Sequence, residues 1–169
     1  EGKSLCRRAE TSENLFVLRS LTKFFSLAAL RVGFGVSSPG LIKYAEKVRI
    51  PWNVNALAIE AAVASLTDAE FIEESRRKVK REREFLKKGL KRLFEVVESD
   101  AHFFLVSLEG KGIAAPELKA ELLKKGILIR DCSSFESLDK TYFRVSIQRR
   151  GENRLLLKSL EDVLEARHD

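Results

Sequence analysis

Methionine is absent from all 169 residues, so the sequence holds no initiator. Cysteine is almost absent: Cys6 and Cys132 stand far apart with no Cys-x-x-Cys spacing. That excludes a zinc-finger pattern and a disulfide framework, and it fits a reduced, cytoplasmic setting. No apolar run nears the length of a membrane span, and no stretch reads as a signal peptide. Histidine occurs only as His102 and His168, and neither joins a Ser-His-Asp or Cys-His arrangement. Hydrolase chemistry is therefore not expected. Internal repeats and low-complexity tracts are missing as well.

One charge sign is in mild excess, at +6. Most of that excess sits in Arg76-Arg77-Lys78-Val79-Lys80-Arg81-Glu82-Arg83-Glu84, where acids interleave with bases. Such a run is the solvated face of a helix, and no nucleic-acid-binding motif accompanies it. The expectation is no nucleic-acid partner and no membrane partner, with anionic small molecules as the match for the isolated arginines. A chain of this length and apolar content suits one domain or somewhat more, with a sizeable core.

The most informative stretch runs from Arg19 to Val36. Leu15-Phe16-Val17-Leu18 reads as a buried strand and leads into Ser20, Thr22 and Lys23. Arg31 follows eight residues later, at the mouth of a second apolar run that contains Gly33 and Gly35. Burial of a lysine disfavours its charged form and makes it a usable amine nucleophile. Such lysines form Schiff bases with carbonyl compounds, pyridoxal phosphate among them. Ser20, Thr22 and Arg31 are suitable phosphate partners: two neutral donors and one forked cation. The plainer alternative for Lys23 is a surface lysine snorkelling beside a core strand.

Ser20-Leu21-Thr22-Lys23 and Leu27-Ala28-Ala29-Leu30-Arg31-Val32-Gly33-Phe34 together resemble the lysine signature of fold-type-I aminotransferases. The resemblance is strongest to the branch holding histidinol-phosphate aminotransferase and threonine-phosphate decarboxylase. It implies an α/β fold, the C-terminal part of a fold-type-I pyridoxal 5'-phosphate enzyme. It also implies that Lys23 carries the cofactor and that Ser20, Thr22 and Arg31 hold its phosphate. The family's Asp-x-Ala-Tyr-type motif, expected just before such a stretch, does not occur here. The chain is therefore expected to be the C-terminal half of an enzyme, partnered by a missing N-terminal half and forming a homodimer.

Residues 1 to about 13 read as a polar surface segment with a short helical turn. Strands are expected at Leu15–Leu18 and Val32–Val36, with a turn of helix over Phe24–Leu30 between them. Ser38 caps a helix with Pro39 in its first position, running to about Val48, and Pro51 prevents its continuation. Ala56–Leu66 is apolar all round and is expected to be buried. Before it, Pro51-Trp52-Asn53-Val54-Asn55 resembles the decarboxylase branch, with Trp52 and Asn53 either lining the site or fixing a turn.

Thr67 and Glu70 form a capping box. It opens a helix to about Val97, with Ile72, Val79, Leu86, Leu90, Leu93 and Val97 in one stripe. A domain boundary is expected near residue 67, between the C-terminal part of a large domain (1–67) and a small α/β domain (68–169). In the latter, strands are expected at Phe103–Leu108, Ile127–Ile129 and Tyr142–Ile147. A helix opens near Pro116, has Leu118, Leu122 and Leu123 on its inner face, and stops at Gly126. The last helix starts near Gly151 and packs through Leu156, Leu160, Val163 and Leu164.

Arg144 sits inside a strand, where an unpaired cation is costly. A ligand carboxylate or phosphate is the natural partner. The resemblance implies that Arg144 binds the substrate's acidic group. It implies that Arg130, in Arg130-Asp131-Cys132-Ser133-Ser134-Phe135, is a second anion-binding arginine. For Arg130, a salt bridge to Asp131 stays open; Cys132 reads as packing. The resemblance implies an enzyme with a phosphorylated amino-acid or amino-alcohol substrate, similar to threonine-phosphate decarboxylases of the cobalamin pathway, with histidinol-phosphate aminotransferase as the alternative. A non-catalytic fragment, functional only with its missing half, is a further alternative; the chain alone is expected to be inactive.

Overall fold

Capping residues set most of the helix boundaries in the computed structural model, which describes residues 4–167; His168 lies outside them. Helix α1 (Cys6–Ala9) is a single turn with Ala9 fully buried. Ser38 is extended, its hydroxyl accepts from the Leu41 amide at 3.5 Å, and Pro39 opens α2 (Pro39–Val48), as its fixed φ favours. Asn55 does the same for α3 (Ala56–Thr67), its Oδ1 accepting from the Ala58 amide at 2.8 Å.

The expected capping box at Thr67 is not formed. Helix α3 continues through Thr67, whose hydroxyl donates to the Val63 and Ala64 carbonyls at 3.0 Å. Asp68 takes over as the cap of α4 (Ala69–Leu93), with its Oδ1 accepting from the Phe71 amide at 2.9 Å. The chain divides into two compact units after Ser75, inside α4.

The first unit holds a two-stranded antiparallel sheet of β1 (Val17–Ser20) and β2 (Gly33–Val36), with Val17 opposite Val36 and Ser20 opposite Gly33. Strand β1 starts two residues later than the expected Leu15–Leu18, so that Ser20 ends the strand. A Cβ on Gly33 would lie 2.6 Å from the Arg19 carbonyl oxygen. Glycine is what lets the two backbones approach there. Behind the loop joining these strands, Leu21 and Val32 are buried against Ala58 and Ala62 of α3, with Phe25, Leu27, Leu30 and Val54 around them.

The expected burial of α3 is corrected. Only Ala58 and Ala62 are buried, while Leu57 is 76% exposed and Val63 55%. Small residues face the loop, and among the described residues of this unit nothing covers the other sides. Trp52 is 98% exposed, at a left-handed φ of 54°.

The second unit is a four-stranded antiparallel sheet, ordered β3 (Glu95–Val96), β4 (Phe103–Ser107), β6 (Tyr142–Ser146), β5 (Arg130–Asp131). Phe104, Val106, Phe143 and Val145 point to one face and are buried. They pack with Leu86 and Leu90 of α4, with Leu118 and Leu122 of α5 (Ala115–Lys124), and with Leu156, Leu160 and Val163 of α6 (Arg150–Glu165).

Three expectations shift here. Helix α4 ends at Leu93 rather than near Val97, because Glu95 and Val96 pair with Ser107 and Val106 as a strand. The strand expected at Ile127–Ile129 is displaced to Arg130–Asp131. Leu123 is 56% exposed and not on the inner face of α5. The stop at Gly126 is as expected. Gly126 takes φ 74°, its amide donates to the Leu123 carbonyl at 2.9 Å, and the Ile127 amide donates to the Leu122 carbonyl at 3.0 Å. That is the Schellman pattern.

A buried polar cluster ties α4 to the start of α6. The Arg150 guanidinium donates to both Glu82 carboxylate oxygens, at 2.9 and 3.1 Å, and lies 3.9 Å from the Phe85 ring centroid. Asn153, 1% exposed, donates to Glu82 at 3.4 Å and to the Gln148 carbonyl at 2.7 Å. The bonds from Arg150, more than any other partner, hold the Glu82 carboxyl below its usual range. From the basic run, this cluster takes in Glu82, so that position is not on a solvated face.

Candidate active site

The first group of expected site residues lies on the loop between β1 and β2. The Leu21 amide donates to the Val32 carbonyl at 3.3 Å, which closes the loop's base, and Leu21 and Val32 sink into the core below. Around those anchors Ser20, Lys23 and Arg31 are exposed and Thr22 is half-buried. Ser20 Oγ and Thr22 Oγ1 share a hydrogen bond of 2.9 Å, and the Thr22 amide donates to Ser20 Oγ at 3.3 Å. Lys23 follows directly.

Lys23 is exposed, contrary to the apolar enclosure expected from its neighbours. The adjacent Phe25 packs against the small core, while Phe24 stays 38% exposed; both rings meet Phe71 of α4, and Phe25 and Phe71 stack with centroids 6.0 Å apart. The apolar character of the stretch therefore anchors the loop and does not enclose the lysine.

Arg31 follows the short 3-10 turn Ala28–Leu30 and takes a left-handed φ of 52°. Its Nη1 donates to the Ala28 carbonyl at 2.8 Å, and its side chain is otherwise exposed. Two hydroxyls, an amine and a guanidinium thus stand on one loop closed at its base.

The second group lies on the sheet of the second unit, on the face opposite the core. Arg130 of β5 and Arg144 of β6 are direct cross-strand partners, so their side chains stand side by side. Both line a cavity of about 530 Å³, together with Lys119, Ser146 and Gln148. Like charges directly opposite each other are destabilising. Among the described residues, no carboxylate lies within ion-pairing distance of either.

The salt bridge left open between Arg130 and Asp131 is not formed. Asp131 accepts from the Ser133 amide at 2.9 Å and the Ser133 hydroxyl at 3.0 Å. Those bonds, the backbone one foremost, hold its carboxyl below the usual range. Arg130 instead donates to Ser134 Oγ at 3.2 Å and lies 5.4 Å from the Phe135 ring centroid. Arg144 lies 4.6 Å from the ring centroid of Phe103. Cys132 is buried behind them, and burial pushes its thiol up, which leaves it unsuited to nucleophilic work.

The two aromatic rings are the site-region residues that sequence reasoning missed. Phe135 had a local signal, five residues beyond Arg130. Phe103 had none, because its approach to Arg144 depends on the pairing of β4 with β6. Trp52 and Asn53 are both exposed.

The family model for aminotransferase class I and II matches residues 3–160. The chain belongs to this family. It is 38% identical over 155 residues to histidinol-phosphate aminotransferase from Methanothermobacter thermautotrophicus, covering 90% of this chain and 42% of that protein. L-threonine-O-3-phosphate decarboxylase from Porphyromonas gingivalis superposes with a TM-score of 0.82 at 36% identity, over 94% of this chain and 49% of that one. Histidinol-phosphate aminotransferase from Clostridium acetobutylicum gives a TM-score of 0.90 at 31% identity, over 98% of this chain and 50% of that one.

The aminotransferase-family chain thus spans about half the length of these relatives. It has the fold of the C-terminal half of a fold-type-I enzyme. Enzymes of the family work with pyridoxal phosphate, and a family structure from Sinorhizobium meliloti is a complex with it. The residues on the β1–β2 loop fit that group chemically. Lys23 offers an exposed primary amine for an aldehyde, while Ser20, Thr22 and Arg31 offer hydroxyl and guanidinium donors for a phosphate. Among the described residues there is no cluster of three metal-ligating side chains, and no helix is long and apolar enough to cross a membrane.

Proposed function

We propose that this chain supplies the lysine and the anion-binding arginines of a cytoplasmic pyridoxal-phosphate enzyme that acts on a phosphorylated amino-acid-type substrate as a homodimer. The observation that carries the reading is the Arg130–Arg144 pair. Two guanidiniums stand opposite each other on one face of a sheet with no carboxylate among the described residues to neutralise them. An anionic ligand relieves that repulsion and uses their forked donors.

In this reading Ser20, Thr22 and Arg31 would hold the cofactor's phosphate, and Lys23 would hold its aldehyde end. The bound cofactor supplies an electron sink for the substrate's α-carbon. Lys23 Nζ would carry protons to and from that carbon. Arg144 holds the substrate's carboxylate or its equivalent acidic group, and Arg130 holds a second anion.

The likeness to L-threonine-O-3-phosphate decarboxylase, over 94% of this chain, supports decarboxylation of threonine phosphate. The likeness to histidinol-phosphate aminotransferases supports transamination as the second reading.

Two measurements on the natural-length protein test this. The first is reduction with borohydride in the presence of pyridoxal phosphate, followed by peptide mapping. The expected result is a pyridoxyl group on Lys23; labelling of Lys43 or Lys47 instead overturns the lysine assignment. The second compares carbon dioxide release from threonine phosphate with amino transfer from histidinol phosphate. Activity on neither overturns the substrate class.

A further inference from the structure

Arg130 and Arg144 rest against aromatic rings where carboxylates would be the usual partners. Arg144 is half-buried on β6, with its guanidinium carbon 4.6 Å from the centroid of the Phe103 ring. Phe103 belongs to β4 and is paired opposite Ser146, while Arg144 is paired opposite Leu105. The two side chains are therefore diagonal neighbours on one face, a separation that an aromatic ring and a long side chain span. The His102 ring meets the Phe103 ring edge-on, with centroids 5.3 Å apart.

A carboxylate partner would orient a guanidinium too, but it would occupy the N–H fork and cancel the charge that an incoming anion needs. A ring face attracts the cation through its quadrupole and accepts none of the forked in-plane donors. It also opposes the repulsion from Arg130, which would otherwise turn Arg144 toward solvent. Resting on the anion-binding reading above, we propose that Phe103 is a positioning residue for substrate recognition, holding the Arg144 guanidinium oriented and un-neutralised for the substrate's acidic group.

The test uses the natural-length protein, inorganic phosphate as the probe, and NMR titration of the arginine side-chain signals. In the unsubstituted protein the ring current should move the Arg144 δ-methylene protons upfield of those of Arg149. Unshifted signals overturn the proposal without any variant being made. Phe103→Leu should weaken phosphate binding by about three- to tenfold, the span expected for one partly exposed cation–π contact. Phe103→Tyr should restore binding to within about twofold, since it keeps the ring. A merely structural role would lower the melting temperature of the Leu variant and leave its phosphate affinity unchanged, and that result overturns the proposal. The controls separate the two layers. If Arg144→Gln loses phosphate while Phe103→Leu retains it, the positioning role fails and the anion-binding reading stands. If Arg144→Gln also retains it, the anion-binding reading itself fails.

Discussion

At the scale of single residues, the division of labour between two arginines is the sharpest expectation. Arg31 sits on the loop with Lys23, its Nη1 already committed to the Ala28 carbonyl; Arg144 sits on the sheet of the other unit, held by a ring. Arg144→Ala should weaken an anionic substrate by roughly 2 kcal/mol or more and leave pyridoxal phosphate binding nearly unchanged. Arg31→Ala should do the reverse. Dissociation constants for both ligands, measured on both variants, check this, and equal losses everywhere would refute it. Arg31 stood out in the sequence because hydroxyls, lysine and arginine flank one apolar stretch, and Arg144 because a cation falls inside a strand. The exposure of Lys23 was not legible. Flanking apolar residues reveal that a loop is anchored, but not which side chains turn inward, and here Phe25 does so while Phe24 stays exposed.

At the scale of elements, local chemistry predicted the helix ends at Ser38-Pro39 and Gly126, though not the one at Thr67, and predicted pairing-dependent features poorly. Ser38-Pro39 and Gly126 act within a few residues of themselves, so their reading survives folding. Strand β3 is two residues long and exists only because β4 lies beside it; in sequence it looks like the tail of the α4 stripe. The same region carries a pH-dependent tie. Glu98, just beyond β3, accepts from Lys87 at 2.5 Å and from Lys91 at 2.7 Å, both on α4. The bonds from Lys87 first, then Lys91, lower its carboxyl from 4.5 to about 2. A depressed folded-state value means that the contribution to stability is fully present above about 4.5 and is lost as pH falls toward about 2. The group is largely exposed, so salt should shrink the effect. Urea midpoints across that acid range should fall less steeply in Lys87→Ala/Lys91→Ala than in the parent at low salt. Parallel curves would show that the tie contributes nothing.

At the scale of the whole chain, the two units differ in how much apolar surface each buries internally. The second unit has seventeen buried apolar residues in one cluster, including the fully buried Phe104, Phe143, Leu86, Leu90, Leu118, Leu122 and Leu160. The first has a cluster of four, Leu21, Val32, Ala58 and Ala62, two of them alanines. Apolar burial contributes roughly 25 cal/mol per Å², so local opening should cost far less in the first unit. The composition of α3 pointed the other way. Its apolar residues signal burial, yet Leu57, Ile59, Val63 and Leu66 remain exposed within this unit, as in patches that serve as interaction surfaces. Sequence reports how apolar a helix is, but not whether the covering surface belongs to the same unit. The consequence is measurable by amide hydrogen exchange on the 169-residue chain. The amides of Phe104, Val106, Phe143 and Val145 should be the last to exchange. Those of Ala58, Ala62 and the β1–β2 pair should exchange through a lower-energy opening. Phe104→Ala, costing about 3–5 kcal/mol by cavity formation, should collapse the protection of the second unit while leaving exchange in β1 and β2 unchanged. Uniform protection across both units, lost together in Phe104→Ala, would mean that the lysine loop and the arginine sheet unfold as one body and that the small cluster behind Lys23 is not the weak point of the molecule.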